Sequence, residues 1–238
     1  MKFAAIVPIP MLKMLRTDRY HMVLAPQVEL EQYRNFYRIV PGHKILDNGA
    51  AEGAIVDDVK LLRLANDIKA DEVIAPDVMY DAAQTIRKLM SFCVRASEFD
   101  VKVMAVMQAN DWIEFEDMVD VALANKVAAL ALPKLLTGTI NPNARLVGAE
   151  LIRTKTEIPI HCLGCAADIR GETRALAAQD IVRGIDTSAP VVMGLQGNNL
   201  THDYDWRVSH KAIIDYWNQP STGQVEANLS LFRKWCTE

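Results

Sequence analysis

DIVRGIDTSAP, residues 180–190, is the stretch whose reading decides the fold. Its short apolar run leads into Asp186 and stops at Pro190, the pattern of a buried strand that ends on an acid and is followed by a breaker. KILDNG, residues 44–49, repeats the arrangement, with Asp47 at the strand end and an Asn48-Gly49 pair suited to a turn. Two strands that each deliver a carboxylate at the end point to a fold that gathers its strand ends in one place.

Outward from these two segments, strand-like apolar runs alternate with helix-like periodic runs. Strands are expected at 2–7, 22–25, 44–47, 72–76, 101–107, 127–132, 158–164 and 180–186, and helices at 28–39, 57–70, 82–98, 111–124, 143–154 and 170–179. In the second helix Leu61, Leu64, Ala65 and Ile68 share one face, and Asp57 and Asp58 suit its N-terminal dipole; Asp111 reads as the cap of the fourth. Eight strands, most followed by a helix, imply a parallel sheet and an α/β fold, a single (β/α)8 TIM-type barrel domain over residues 1–238. The first unit is irregular, because little helix fits between Val7 and Met22. An open doubly wound sheet is the alternative, but no Gly-rich phosphate loop follows the first strand.

Composition bounds the rest. With 238 residues, 50% of them hydrophobic, and no Gly/Ser-rich linker, the chain suits one barrel. A net charge of −4 argues against a generally basic nucleic-acid binder, although a local basic patch is compatible with it. Four cysteines do not make a disulfide framework at this length. The opening MKFAAIVPIP is too short for a membrane span and lacks a cleavage pattern, so a cytoplasmic protein with no membrane partner is expected. After the barrel, GLQGNNLTH (194–202) reads as a loop able to cover the mouth or contact a polynucleotide. Amphipathic helices follow at 206–217 and 225–235, a helical extension over about 203–238. Leu229, Phe232 and Trp235 pack on the barrel, with a basic rim at Arg233 and Lys234 as the sharper reading. Tyr33, Phe36 and Tyr37 recur at helical spacing and read as packing.

In a barrel of this kind chemistry sits at the C-terminal strand ends. Those ends carry Asp47 and Asn48, Asp77, Gln108 and Asn110, Pro133 and Lys134, His161 and Cys162, and Asp186. Three aspartates, a glutamine and a lysine on one mouth exceed what a structural protein needs. His161 either lines the pocket or is a hydrogen-bonded core histidine, and Lys134 either meets a phosphate or is solvated. Lys134 is also the one lysine placed for the Schiff base that a barrel lyase or aldolase would want.

The same strand ends carry a resemblance to the tRNA-guanine transglycosylase superfamily. LDNGA at Asp47 resembles its DSGG turn, IAPD at Asp77 its FDE segment, VMQAN at Gln108 its VQGG segment, HCLG at His161 its YLMG strand, and GIDTSAP its GVDxFDCVxPTR. The order and approximate spacing match over roughly residues 44–196. The opening VPIPMLKMLRTDRYHMVLA is most similar to the short phage-type members that insert 7-deazaguanine bases into DNA. The chain also departs from the family. The Cys-x-Cys-x-x-Cys zinc subdomain has no counterpart, Cys162 and Cys165 lack a second pair, Val191 and Val192 follow Pro190 where the family has Thr-Arg, and Leu132, Pro133 and Lys134 replace a glycine pair.

The resemblance implies a base-exchange transglycosylase, a pentosyltransferase that replaces guanine in a polynucleotide with a 7-deazaguanine such as preQ0 or a derivative. Setting Asp186 and Pro190 against the D and P of DCVxP makes Asp186 the nucleophile, because the other alignment would put Ala189 in that place. Asp47 would move protons to the departing base and from the incoming one. Asp77 would accept from the guanine N1-H and amine, Gln108 would donate to O6, and Asn48, Lys134 and His161 complete the substrate-binding set. No cofactor and no metal are expected. DNA is favoured over tRNA by the acidic total and the missing arginine; a homodimer or a partner subunit, and a host cytoplasm if the chain is phage-encoded, are further implications. A tRNA-guanine transglycosylase with reduced binding apparatus and a non-catalytic base- or nucleic-acid-binding relative are the alternatives.

Overall fold

The computed structural model describes residues 1–53, 57–165, 168–200 and 210–238. Its strands are β1 (Lys2–Ala5), β2 (Tyr20–Leu24), β3 (His43–Asp47), β4 (Glu72–Ile74), β5 (Lys102–Val106), β6 (Ala129–Pro133), β7 (Ile160–Leu163) and β8 (Val182–Thr187), within a residue or three of the expected positions. All the pairings are parallel, in the order β1-β8-β7-β6-β5-β4-β3-β2. Because β1 also lies against β2, the sheet curls into a nearly closed (β/α)8 TIM-type barrel with additional helices.

Alternate strand residues face alternate sides. Tyr20, Met22, Leu24, Ile45, Ile74, Met104 and Val106 fill the barrel interior, while the outward residues pack on the helices in a larger core. The helices are α1 (Glu31–Ile39), α2 (Asp58–Asp67), α3 (Ala82–Ala96), α4 (Trp112–Ala124), α5 (Leu136–Thr139), α6 (Ala144–Lys155), α7 (Ile169–Ala177), α8 (Ala189–Leu195) and α9 (Gly223–Trp235). Asp57 and Asp111 cap α2 and α4 as expected, the former accepting from Val59 N and Lys60 N, the latter from Glu114 N at 2.9 Å. Lys44, on the outer side of β3, donates to Tyr37 O (3.2 Å) and Ile68 O (2.8 Å), tying the C-terminal ends of α1 and α2 to the strand that carries Asp47. Tyr33 and Tyr37 are buried, which bears out their packing role.

Three expectations need correction. The helix at 28–39 is two pieces, a 3-10 turn at Ala25–Glu29 and then α1, because Leu30 between them is extended (φ −75°, ψ 120°). Gly194 belongs to α8 rather than to the following loop, whose residues 201–202 lie outside the described residues. The helix expected at 206–217 is absent where the chain is described: 206–209 lie outside, and the rest forms two 3-10 turns, His210–Ala212 and Tyr216–Asn218, with Asp215 left-handed between them (φ 53°). A left-handed non-glycine residue stops helix propagation.

α9 packs on α8 through Val225, Leu229 and Phe232, and Phe232 meets the Phe3 ring at 4.5 Å between centroids. Its basic end is not at the mouth. Arg233 pairs with Asp18 at 2.9 Å, just ahead of β2, and the terminal amine of Met1 donates to Cys236 O at 3.0 Å, so the end of α9 sits at the N-terminal face of the barrel. No helix among the described residues is long and apolar enough to cross a membrane.

Candidate active site at the barrel mouth

A cavity of about 280 Å³ opens at the C-terminal ends of the strands, near the low end of the range for small-molecule sites. Met22, Leu24, Ile74, Val106 and Leu163 give it an apolar floor. Asp47, Asn48, Asp77, Gln108, Lys134 and Asp186 all line it, brought from five different strand ends or the turns after them.

Asp186 is buried near the end of β8, level with Ala4 of β1 and Leu163 of β7. Both of its hydrogen bonds fall on Oδ1, from His161 Nε2 at 3.0 Å and from Gly164 N at 3.4 Å. Among the described residues Oδ2 accepts none, and it is the oxygen left for a ligand. Gly164 is left-handed (φ 69°), and this conformation, cheap for glycine, aims its N–H back at Asp186. The loop is braced from behind by Arg145, fully buried on α6, which donates to Gly164 O at 2.7 Å and forms a two-pronged ion pair with Glu172 of α7.

Across the mouth, Asp77 is held by two amides. Asn48 Nδ2 donates to Asp77 Oδ1 at 2.8 Å and Gln108 Nε2 donates to Oδ2 at 2.7 Å. Asn48 also donates to Ala75 O (2.8 Å) and accepts from Ala50 N (2.7 Å). Both Asn48 donors are thereby used, so it orients Asp77 rather than offering a donor to substrate. Gln108 keeps one N–H and its carbonyl oxygen, and the carboxylate of Asp77 keeps free lone pairs. Gly49, left-handed at φ 80°, makes the turn that brings Ala50 N back to Asn48 Oδ1.

His161 does not line the cavity. It points into the barrel beneath Asp186, fully buried, with Nδ1 2.8 Å from the Tyr20 hydroxyl, which corrects the substrate-binding expectation in favour of a core histidine. Lys134 does line it, and burial lowers its pKa, with Asp186 among the neighbours that oppose the shift. His210 and Lys211 also reach the cavity and were not legible from the sequence, since they sit in the segment read as an amphipathic helix. Burial, together with Lys211 and Lys134, brings the His210 pKa down to about 4. Cys165 lies in the wall, and burial pushes its thiol up; the Cys162 thiol is pushed up to about 12 for the same reason. Neither is set up as a thiolate ligand. Among the described residues no group of three or more His, Cys, Asp or Glu side chains is arranged to hold a metal ion.

No protein-family model matches the chain, and none of the curated proteins matches it significantly.

Proposed function

We propose that the chain is a base-exchange transglycosylase that replaces guanine in a polynucleotide, DNA in preference to tRNA, with a 7-deazaguanine. The observation that carries this reading is the convergence of Asp47, Asp77, Gln108 and Asp186, from four separate strand ends, on one base-sized cavity. The motif resemblance at those same strand ends gives the reaction class.

In the proposed reaction Asp186 Oδ2 attacks C1′ of the nucleotide as the C1′–N9 bond breaks, and the bonding pair leaves with guanine. Asp47 gives the departing base a proton. Asp47 then takes the corresponding proton from the incoming 7-deazaguanine, whose ring nitrogen attacks C1′ and releases Asp186. Asp77 accepts from the N1-H and exocyclic amine of the base, and the remaining Gln108 N–H donates to O6. The preference for DNA rests on the net charge of −4 and on Val191 and Val192 standing where the family has a threonine and an arginine.

Release of radiolabelled guanine from matched DNA and tRNA substrates, with a 7-deazaguanine supplied and Asp186→Ala as control, tests the reading. Release from DNA that vanishes in the variant is the expected result. Release from tRNA alone would transfer the proposal to the other polymer, and binding without release from either would end the enzymatic reading.

A further inference from the structure

Beneath Asp186 a continuous chain of buried polar groups runs down the barrel interior, and the proposed reaction does not use it. His161 on β7 is fully buried between Asp186 Oδ1, 3.0 Å from its Nε2, and the hydroxyl of Tyr20 on β2, 2.8 Å from its Nδ1. The same hydroxyl accepts from Arg183 Nε at 3.2 Å, and Arg183 closes on Glu72 of β4 with two further bonds at 2.7 and 2.6 Å. Arg183 can reach inward because β8 carries one extra residue against β7: Ile160 pairs with Val182, and His161 already pairs with Gly184.

For a neutral His161 ring, counting protons fixes the direction of every bond. A guanidinium only donates, so the Tyr20 oxygen is an acceptor toward Arg183 and its own proton is available for another group. An ionised Asp186 only accepts, so His161 Nε2 must carry a proton. The arrangement that uses each proton once is Arg183 to Tyr20, Tyr20 to His161 Nδ1, and His161 Nε2 to Asp186.

We infer that Tyr20 and His161 are positioning residues that lock the Nε2–H tautomer of His161, commit Asp186 Oδ1 to the barrel interior and leave Oδ2 as the attacking oxygen. The word attacking rests on the proposed base exchange; the tautomer and the commitment of Oδ1 do not. Without the Tyr20 hydroxyl Asp186 alone favours the Nε2–H tautomer, Nδ1 loses the bond that holds it from below, and the ring is free to tilt away from Oδ1. The loss then falls on the bond-forming step rather than on substrate affinity, since neither residue touches the cavity.

The test uses the full chain labelled with carbon-13 and nitrogen-15, in which the His161 ring is assigned through its own backbone, and His161→Gln checks that assignment among the five histidines. Wild type is expected to show a protonated Nε2 and an unprotonated, hydrogen-bonded Nδ1, and Tyr20→Phe to move the Nδ1 signal toward that of a free ring nitrogen. In base exchange Tyr20→Phe should lower kcat about tenfold to a hundredfold with KM held within about twofold. His161→Gln, whose amide can still reach Oδ1, should keep more activity than His161→Leu. A wild-type ring protonated at Nδ1 overturns the inference even if no variant folds, and so does a Tyr20→Phe variant with wild-type kcat. Should wild type exchange no base in any polynucleotide, the functional reading falls by itself, and the tautomer measurement alone decides the relay.

Discussion

Gly184→Ala probes the support beneath the site without touching the cavity. A Cβ added there would stand 2.4 Å from Tyr20 Cε1, 2.8 Å from Cζ and 2.9 Å from the hydroxyl oxygen. The ring would have to retreat by roughly 1 Å to reach ordinary contact. It has little room to do so: His43 stacks on it at 5.5 Å between centroids, and the Arg183 guanidinium and Lys2 Nζ lie 5.6 and 5.7 Å from its centroid. Overpacking of this kind costs about 1–3 kcal/mol, and stretching the 2.8 Å bond to His161 adds about 1 kcal/mol. Urea unfolding should therefore show a loss of about 2–4 kcal/mol with an unchanged slope. In a Tyr20→Ala background the same substitution should cost far less, because the clash has gone. A loss below about 0.5 kcal/mol, with the His161 nitrogen signals unmoved, would refute the view that Gly184 exists to admit Tyr20.

If the proposed base exchange is the reaction, Asp186→Asn should lower it by a factor of about a thousand or more while leaving the urea midpoint close to wild type; a variant that exchanges normally would remove Asp186 from the proposed mechanism. Arg145→Met removes the fully buried guanidinium that pairs with Glu172 and binds the carbonyl of Gly164, so a loss of about 3–5 kcal/mol is expected by urea titration. Glu72 gives a pH prediction. Burial pushes its carboxyl up, but His43 at 3.4 Å and the bonds from Arg183 outweigh burial and hold it at about 2, below the ordinary 4.5. A depressed carboxylate contributes its full stability above pH 4.5 and loses it as pH falls through about 2, a change of ~3 kcal/mol across that window. Acid unfolding of Glu72→Gln should lack this segment of the curve, and an identical curve would count against the pair.

Which parts were legible from sequence follows from what each pattern encodes. Apolar runs between helical repeats mark strands buried on both faces, so all eight strands were placed, and Asp47, Asn48, Asp77, Gln108, Lys134 and Asp186 followed because they sit at strand ends, where the fold itself puts them on one mouth. Tyr20 was missed because the strand was read from Met22, and a tyrosine facing a barrel interior looks like any aromatic in a strand. Arg183 was missed because its inward direction depends on a one-residue register shift, which is a property of the pairing with β7 and leaves no mark in the local sequence. His210 and Lys211 reach the mouth from the C-terminal segment, where hydrophobic periodicity suggested a helix and long-range packing produced 3-10 turns instead.

The lower barrel also bears on why its interior is not simply apolar. A buried ion pair such as Glu72 with Arg183 adds little net stability over well-packed hydrophobic residues of the same volume, since desolvation cancels much of the attraction. Stability alone is therefore a weak reason for placing both charges there. Arg183 does one thing an apolar residue could not: its Nε occupies one lone pair of the Tyr20 oxygen and leaves the hydroxyl proton for His161. Glu72 in turn keeps the guanidinium in that orientation with both carboxylate oxygens. A Tyr20 hydroxyl without Arg183 could rotate to either role, and the tautomer of His161 would no longer be set from below. The charge pair at the base of the barrel and the free oxygen of Asp186 at its mouth are thus the two ends of one directional hydrogen-bond chain, held rigid by strands from opposite sides of the sheet.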